Sequence, residues 1–185
     1  MNDNFVKNLN SFQDTAICEL IKHKFNKIFI KSNKFTGKTM LAGKLFKNVI
    51  DDVVIYHTGC CPELFNRAKE QFINILNDNI SKNITIILDE FYDEEILSSI
   101  DKKNITCYVF TNDISLSKNN YLSFNYYEYY SKFINNEFGN YLNIHQVLNK
   151  NKNYDVENEK LRQSSKNTIT YIKKNNEIKE YKLEC

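Results

Sequence analysis

Apolar residues recur at helical spacing across residues 11–25, where Phe12, Ala16, Ile17, Leu20, Ile21 and Phe25 share a face behind Ser11, a residue suited to cap the helix. The run KIFIK at 27–31 predicts a short strand, and MLAGKLFKNV after it a helix. Residues 53–56, VVIY, give a second strand. The turn HTGCCPEL follows, with Pro62 fitted to a first helical turn. Over 63–78 a stripe of Leu64, Phe65, Ala68, Phe72, Ile75 and Leu76 predicts the next helix. The unbroken apolar run ITIIL at 84–88 is the pattern of a strand buried on both faces of a parallel sheet. A short acidic helix, EEILSSI, then leads to a fourth strand, ITCYVF at 105–110.

Strand and helix alternate through this stretch, which argues a parallel α/β sheet with right-handed crossovers. Residues 121–148 predict a further short strand and one or two helices, completing a core over 1–148. The stretch 149–167 is polar and reads as a linker or an exposed helix. The tail 168–185 carries two β-prone runs around Asn175-Asn176, which can supply the positive φ angles of a tight hairpin. A charged hairpin this short needs the core to pack on.

Length and charge narrow the class. The chain has 185 residues, 42% of them hydrophobic, and a formal charge of +2, which suits one domain and excludes a polyanion-coating protein. No apolar run approaches the roughly 20 residues that span a bilayer, and the start MNDNF has no basic segment followed by an apolar one. A soluble cytoplasmic protein without membrane insertion is expected. The five cysteines, Cys18, Cys60, Cys61, Cys107 and Cys185, form no CxxC pair, and the three histidines show no ligand spacing. Reduced thiols and no zinc site are expected. Heavy use of Asn, Lys, Ile and Tyr points to an AT-rich coding genome, which makes surface polarity uninformative.

Candidate chemistry sits between the first strand and its helix. Ser32-Asn33-Lys34-Phe35-Thr36-Gly37-Lys38-Thr39 nearly matches GxxxxGK[ST], a loop whose backbone N–H groups and helix N-terminus converge on phosphate. Lys38 would reach the β- and γ-phosphates and the Thr39 hydroxyl would hold Mg²⁺, with Met40 closing the binding segment. Ser32 stands where the first glycine belongs. If that position needs a positive φ, its Cβ costs about 1 kcal/mol. Further on, ITIIL ends in Asp89-Glu90. An acid at the C-terminal end of a neighbouring strand suits Mg²⁺, and Glu90 is placed to activate a water. Taken without the loop, the same two acids would read as a helix N-cap and first-turn charge. Thr111-Asn112-Asp113 follows the fourth strand, one strand over, where a polar side chain can bond the γ-phosphate or the water; otherwise it is an ordinary turn.

Over residues 27–124 these pieces resemble the P-loop ATPases that carry a catalytic glutamate beside the Walker B aspartate, the AAA+ group in particular. On that resemblance Lys38 and Thr39 match Walker A, Asp89 and Glu90 Walker B, and Asn112 sensor 1. TGKT, DEFYD and TND look like the compact superfamily-three helicase domains of viral and plasmid replication proteins. YLSFNYYEYYSKF is similar to the segment after sensor 1 in AAA ATPases of mobile elements. The resemblance implies a three-layer P-loop fold, Mg·ATP hydrolysis coupled to movement of nucleic acid or a nucleic-acid-bound protein, and a homo- or hetero-oligomer. Its source would be viral or a mobile element.

Two features pull the other way. Only Arg67 and Arg162 are available as an arginine finger, and the stretch after Asn112 is short for a helical lid. This leaves a non-catalytic binding or assembly subunit as the alternative. A nucleoside kinase is the third reading, because FTGKT and DEFYD also look like thymidine kinase motifs, although that family's zinc-binding cysteines are absent. His57, Cys60 and Cys61 are read as turn and core packing, since no partner acid or base is placed for a nucleophile. Phe124, Tyr126, Tyr127, Tyr129 and Tyr130 can stack single-stranded bases, but their mixed spacing favours packing on one face.

Overall fold

A computed structural model describes residues 3–22, 26–33, 36–59, 61–128 and 167–184. One seven-stranded sheet organises them, in the order β5-β1-β4-β3-β2-β6-β7. The strands are β1 (Lys27–Lys31), β2 (Val53–Thr58), β3 (Ile84–Asp89), β4 (Ile105–Thr111), β5 (Leu122–Asn125), β6 (Asn167–Lys174) and β7 (Glu177–Glu184). The first five pair in parallel. The last two join antiparallel, β6 onto β2 and β7 onto β6.

Helices cover both faces, so the chain is a three-layer α/β protein. α1 (Asp3–Lys22) and α2 (Lys38–Asn48) pack on one side, burying Ile17, Leu20, Leu41 and Leu45 against Ile28, Ile30, Ile87 and Phe110. α3 (Phe65–Asn77), entered through a 3₁₀ turn at Pro62–Leu64, and α4 (Glu94–Ser99) cover the other. There Phe72, Ile75 and Ile96 pack on Phe29, Ile55, Ile86 and Leu88. Because β3 is enclosed on both faces, all six of its residues are buried, which explains its uninterrupted apolar run. Among the described residues no helix is long and apolar enough to cross a membrane.

The tail forms the expected hairpin. Asn175 and Asn176 take φ of 51° and 65°, the left-handed pair that a two-residue turn between Lys174 and Glu177 requires. β6 also ties down α2: the Lys173 ammonium donates to the carbonyls of Phe46 and Val49, at 2.7 Å each, satisfying the last turn of that helix.

Four expectations change. The first helix begins at Asp3, so Ser11 lies inside it and caps nothing. Ile21, placed on the buried stripe, is 48% exposed. Asp89 does not end the strand beside β1, because β4 lies between β1 and β3. Cys18 and Cys107 are free thiols, as expected, but Cys61 is disulfide-bonded. The predicted linker 149–167 lies almost wholly outside them, as do Phe25, Tyr129, Tyr130 and the helices expected before residue 148. Within the aromatic run, Phe124 and Tyr126 are buried and Tyr126 stacks on Phe12 at 5.7 Å, so these two rings pack rather than present a surface.

Candidate functional site

The C-terminal end of β4 acts as a ruler between the loop and the acidic pair. On one side Ser32 N–H donates to the Thr111 carbonyl at 3.1 Å; on the other Glu90 N–H donates to the Phe110 carbonyl at 3.0 Å. Two inter-strand spacings of about 4.8 Å therefore separate the loop backbone from the acidic backbone. Only a long side chain bridges that gap, and Lys38 does so.

Gly37 takes φ 82° and ψ 19°, a left-handed geometry that a Cβ would strain, and its carbonyl accepts the first helical bond of α2 from Leu41 at 3.0 Å. Lys38 follows at the first helical position and is 7% exposed. Its ammonium donates to the carbonyls of Ser32 (3.2 Å) and Asn33 (2.8 Å) and to Asn112 Oδ1 (2.5 Å), and sits 3.8 Å from Glu90 Oε1. Residues from the loop, the end of β3 and the end of β4 thus converge on one cation.

Ser32 is not among the residues with positive φ, so the missing first glycine brings no left-handed strain. Its hydroxyl donates instead to Thr36 Oγ1 at 2.7 Å, and Thr36 donates to the Asn33 carbonyl at 3.0 Å, which braces the loop from within. Lys34 and Phe35 lie outside the described residues. Thr39 and Met40 are exposed on the first turn of α2.

Asp89 is buried, and burial holds its carboxyl above the usual range against the opposing pull of the Thr39 hydroxyl and the Lys38 charge. Thr58 Oγ1 donates to its Oδ2 at 3.3 Å, while Oδ1 is sealed from solvent without a well-formed hydrogen bond. A carboxylate in that condition is short of positive charge, and a divalent cation would supply it. Thr39 and Asp89 therefore fit a Mg²⁺ site of the open kind, in which protein supplies few ligands and phosphate and water the rest.

Neither acid caps a helix. Asp93 does, accepting from Ile96 N–H at 2.8 Å at the start of α4 while Lys69 pairs with it at 3.0 Å. In the TND turn, Asp113 makes the turn by accepting from Ser115 N–H at 2.9 Å, which frees Asn112 to face Lys38. Arg67 is an exposed position of α3, and Arg162 lies outside the described residues.

Three hydroxyls carry contacts that sequence reasoning did not assign. Thr58 holds Asp89 from β2. Thr111 accepts from Asp113 N–H and lies 2.6 Å from the Tyr92 hydroxyl, joining the acidic loop to the TND turn. Threonines and tyrosines are ordinary strand and loop residues, and only the strand order reveals which of them meet. No family model matches this chain, and no curated protein or solved structure matches it either.

Proposed function

We propose that this chain binds Mg·ATP in the loop 32–40 and hydrolyses it, in the manner of the P-loop ATPases with an additional catalytic glutamate, and that the work is done on nucleic acid or a nucleic-acid-bound protein. The observation that carries the reading is the convergence of the loop, Glu90 and Asn112 on the Lys38 ammonium, with Asp89 within its field.

In this reading Lys38 exchanges the Ser32 and Asn33 carbonyls for β- and γ-phosphate oxygens, which are charged and bind an ammonium more strongly than a neutral carbonyl does. The N-terminus of α2 and the loop amides take the remaining phosphate charge. Thr39 and Asp89 would hold Mg²⁺, which supplies charge neutralisation across the β- and γ-phosphates. Glu90 accepts the proton of the attacking water, and Asn112 orients that water or the γ-phosphate.

A non-catalytic assembly subunit is the second reading. It draws on the same Lys38 bonds, which also serve simply to brace the loop, and on the lack of a described arginine near the site. A nucleoside kinase would need an acceptor substrate. Phosphate release from ATP, measured alone and with single- and double-stranded DNA, separates the three. The ATPase reading expects turnover without an acceptor and stimulation by one DNA form; no turnover with retained binding supports the assembly subunit, and turnover only with a nucleoside supports the kinase.

A further inference from the structure

Along an unbroken strand successive side chains alternate faces. With Asp89 on the α2 side, Glu90 would then point to the α3 side of the sheet and Phe91 back to the α2 side. The chain does the reverse. Phe91, 1% exposed, is packed in the α3 and α4 layer, and Glu90 stays 3.8 Å from Lys38. A φ of 56° at Glu90 makes the exchange. For a residue with a Cβ that conformation costs about 1 kcal/mol, so something must hold it.

Phe91 is the holding point. Its ring stacks on the His57 imidazole with centroids 3.6 Å apart and planes 23° from parallel. Phe65 and Phe72 close its other sides at 5.2 and 5.9 Å. His57 is itself fully buried, and its Nδ1 lies 2.8 Å from Thr170 Oγ1, directly across the β2–β6 pairing. Burial pushes the imidazole down to about 3, so the ring is neutral. Its Nε2 makes no hydrogen bond.

The geometry points to His57 as a positioning residue for the proposed hydrolysis. Its ring, oriented by Thr170, is the plate against which Phe91 stacks, and Phe91 fixes the left-handed turn that keeps the Glu90 carboxylate beside Lys38. The C-terminal hairpin is thereby connected to the general base. This inference rests on reading Glu90 as that base.

The test is steady-state hydrolysis by the full chain, combined with hydrogen exchange at the amides of residues 90–92. His57→Ala is expected to lower kcat about 10-fold, with KM for Mg·ATP changed less than about 2-fold and exchange at 90–92 accelerated. His57→Phe, which keeps a flat ring, is expected to recover kcat to within about 3-fold of the parent. In a Glu90→Gln background His57→Ala should cost nothing further. Equal losses in His57→Ala and His57→Phe, a loss confined to KM, or additivity with Glu90→Gln overturns the inference. Should His57→Ala fail to fold, Thr170→Val replaces it, with about a 3-fold fall in kcat expected at unchanged KM, and an unchanged kcat overturns it. If the parent protein hydrolyses no ATP, the reading of Glu90 fails and the exchange data decide alone: acceleration in His57→Ala upholds the positioning role, and unchanged exchange removes it.

Discussion

Two lysines are buried at opposite ends of the first strand and its loop, and their surroundings differ. Lys27, at the lower edge of the sheet, is 8% exposed and makes a close ion pair with Asp101. Its charge is cancelled in contact. Lys38, at the upper edge, is buried to the same degree, and its contacts include two carbonyls and an amide, with the Glu90 carboxylate at 3.8 Å. Those neutral oxygens and the more distant carboxylates of Glu90 and Asp89 share the ammonium, whereas Lys27 has one close carboxylate. On the proposed function, the first lysine serves stability and the second binding.

The comparison is sharpened most by Glu90→Gln. This variant is expected to keep Mg·ATP affinity within a few-fold while hydrolysis falls about 100-fold or more, since a general base is worth roughly that factor. Phosphate release against a fluorescent-nucleotide titration checks it, and a normal rate removes Glu90 from the role. Asn112→Ala is the next largest. Losing one neutral partner of Lys38 and one contact to the reacting group should cost about 10-fold in kcat.

At the lower edge the outcome should be structural. Lys27→Met is expected to leave hydrolysis unchanged and to lower the melting temperature by about 3–6 °C, a discount for the solvent that reaches Asp101. The pH dependence has a definite sign. The hydrogen bond from Lys27 holds the Asp101 carboxyl below its ordinary value. That contribution is therefore fully present above the unfolded carboxylate pKa near 4, and disappears as pH falls through the depressed native value. Melting curves from neutral pH down to about 3 should show this loss in the parent and a smaller one in Lys27→Met. An equal acid dependence in both would mean the pair contributes nothing.

Ser32→Gly is the smallest change and the most pointed. Restoring the glycine of the phosphate-loop pattern should not raise activity, because Ser32 is under no left-handed strain and its hydroxyl braces Thr36. A loss of about 0.5–1 kcal/mol in stability is expected instead, from the added chain entropy and the lost bond.

What was legible in the sequence was mostly what one strand or one loop decides alone. The run 84–88 announced a doubly buried strand, Asn175-Asn176 announced a hairpin, and Gly37-Lys38-Thr39 announced the turn into α2. What was not legible depends on neighbours far apart in the chain. That β4 intervenes between β1 and β3 follows from strand order, which no periodicity encodes. The left-handed turn at Glu90 is imposed by where Phe91 packs, and glutamate gives no sign of it. The start of α1 at Asp3 escaped because Ser11 offered a cap, although Phe5 and Leu9 extend the helical spacing of Phe12 and Ala16. The Cys61 disulfide escaped because cysteine spacing does not fix pairing.

The central proposal is that Lys38 binds the phosphates of Mg·ATP. Calorimetric titration of the full chain with Mg·ATP, beside Lys38→Ala and Lys27→Met, measures it directly. Saturable binding by the parent and by Lys27→Met, weakened about 100-fold or more in Lys38→Ala, is the predicted result. Absence of binding in the parent, or equal affinity in Lys38→Ala, would contradict it.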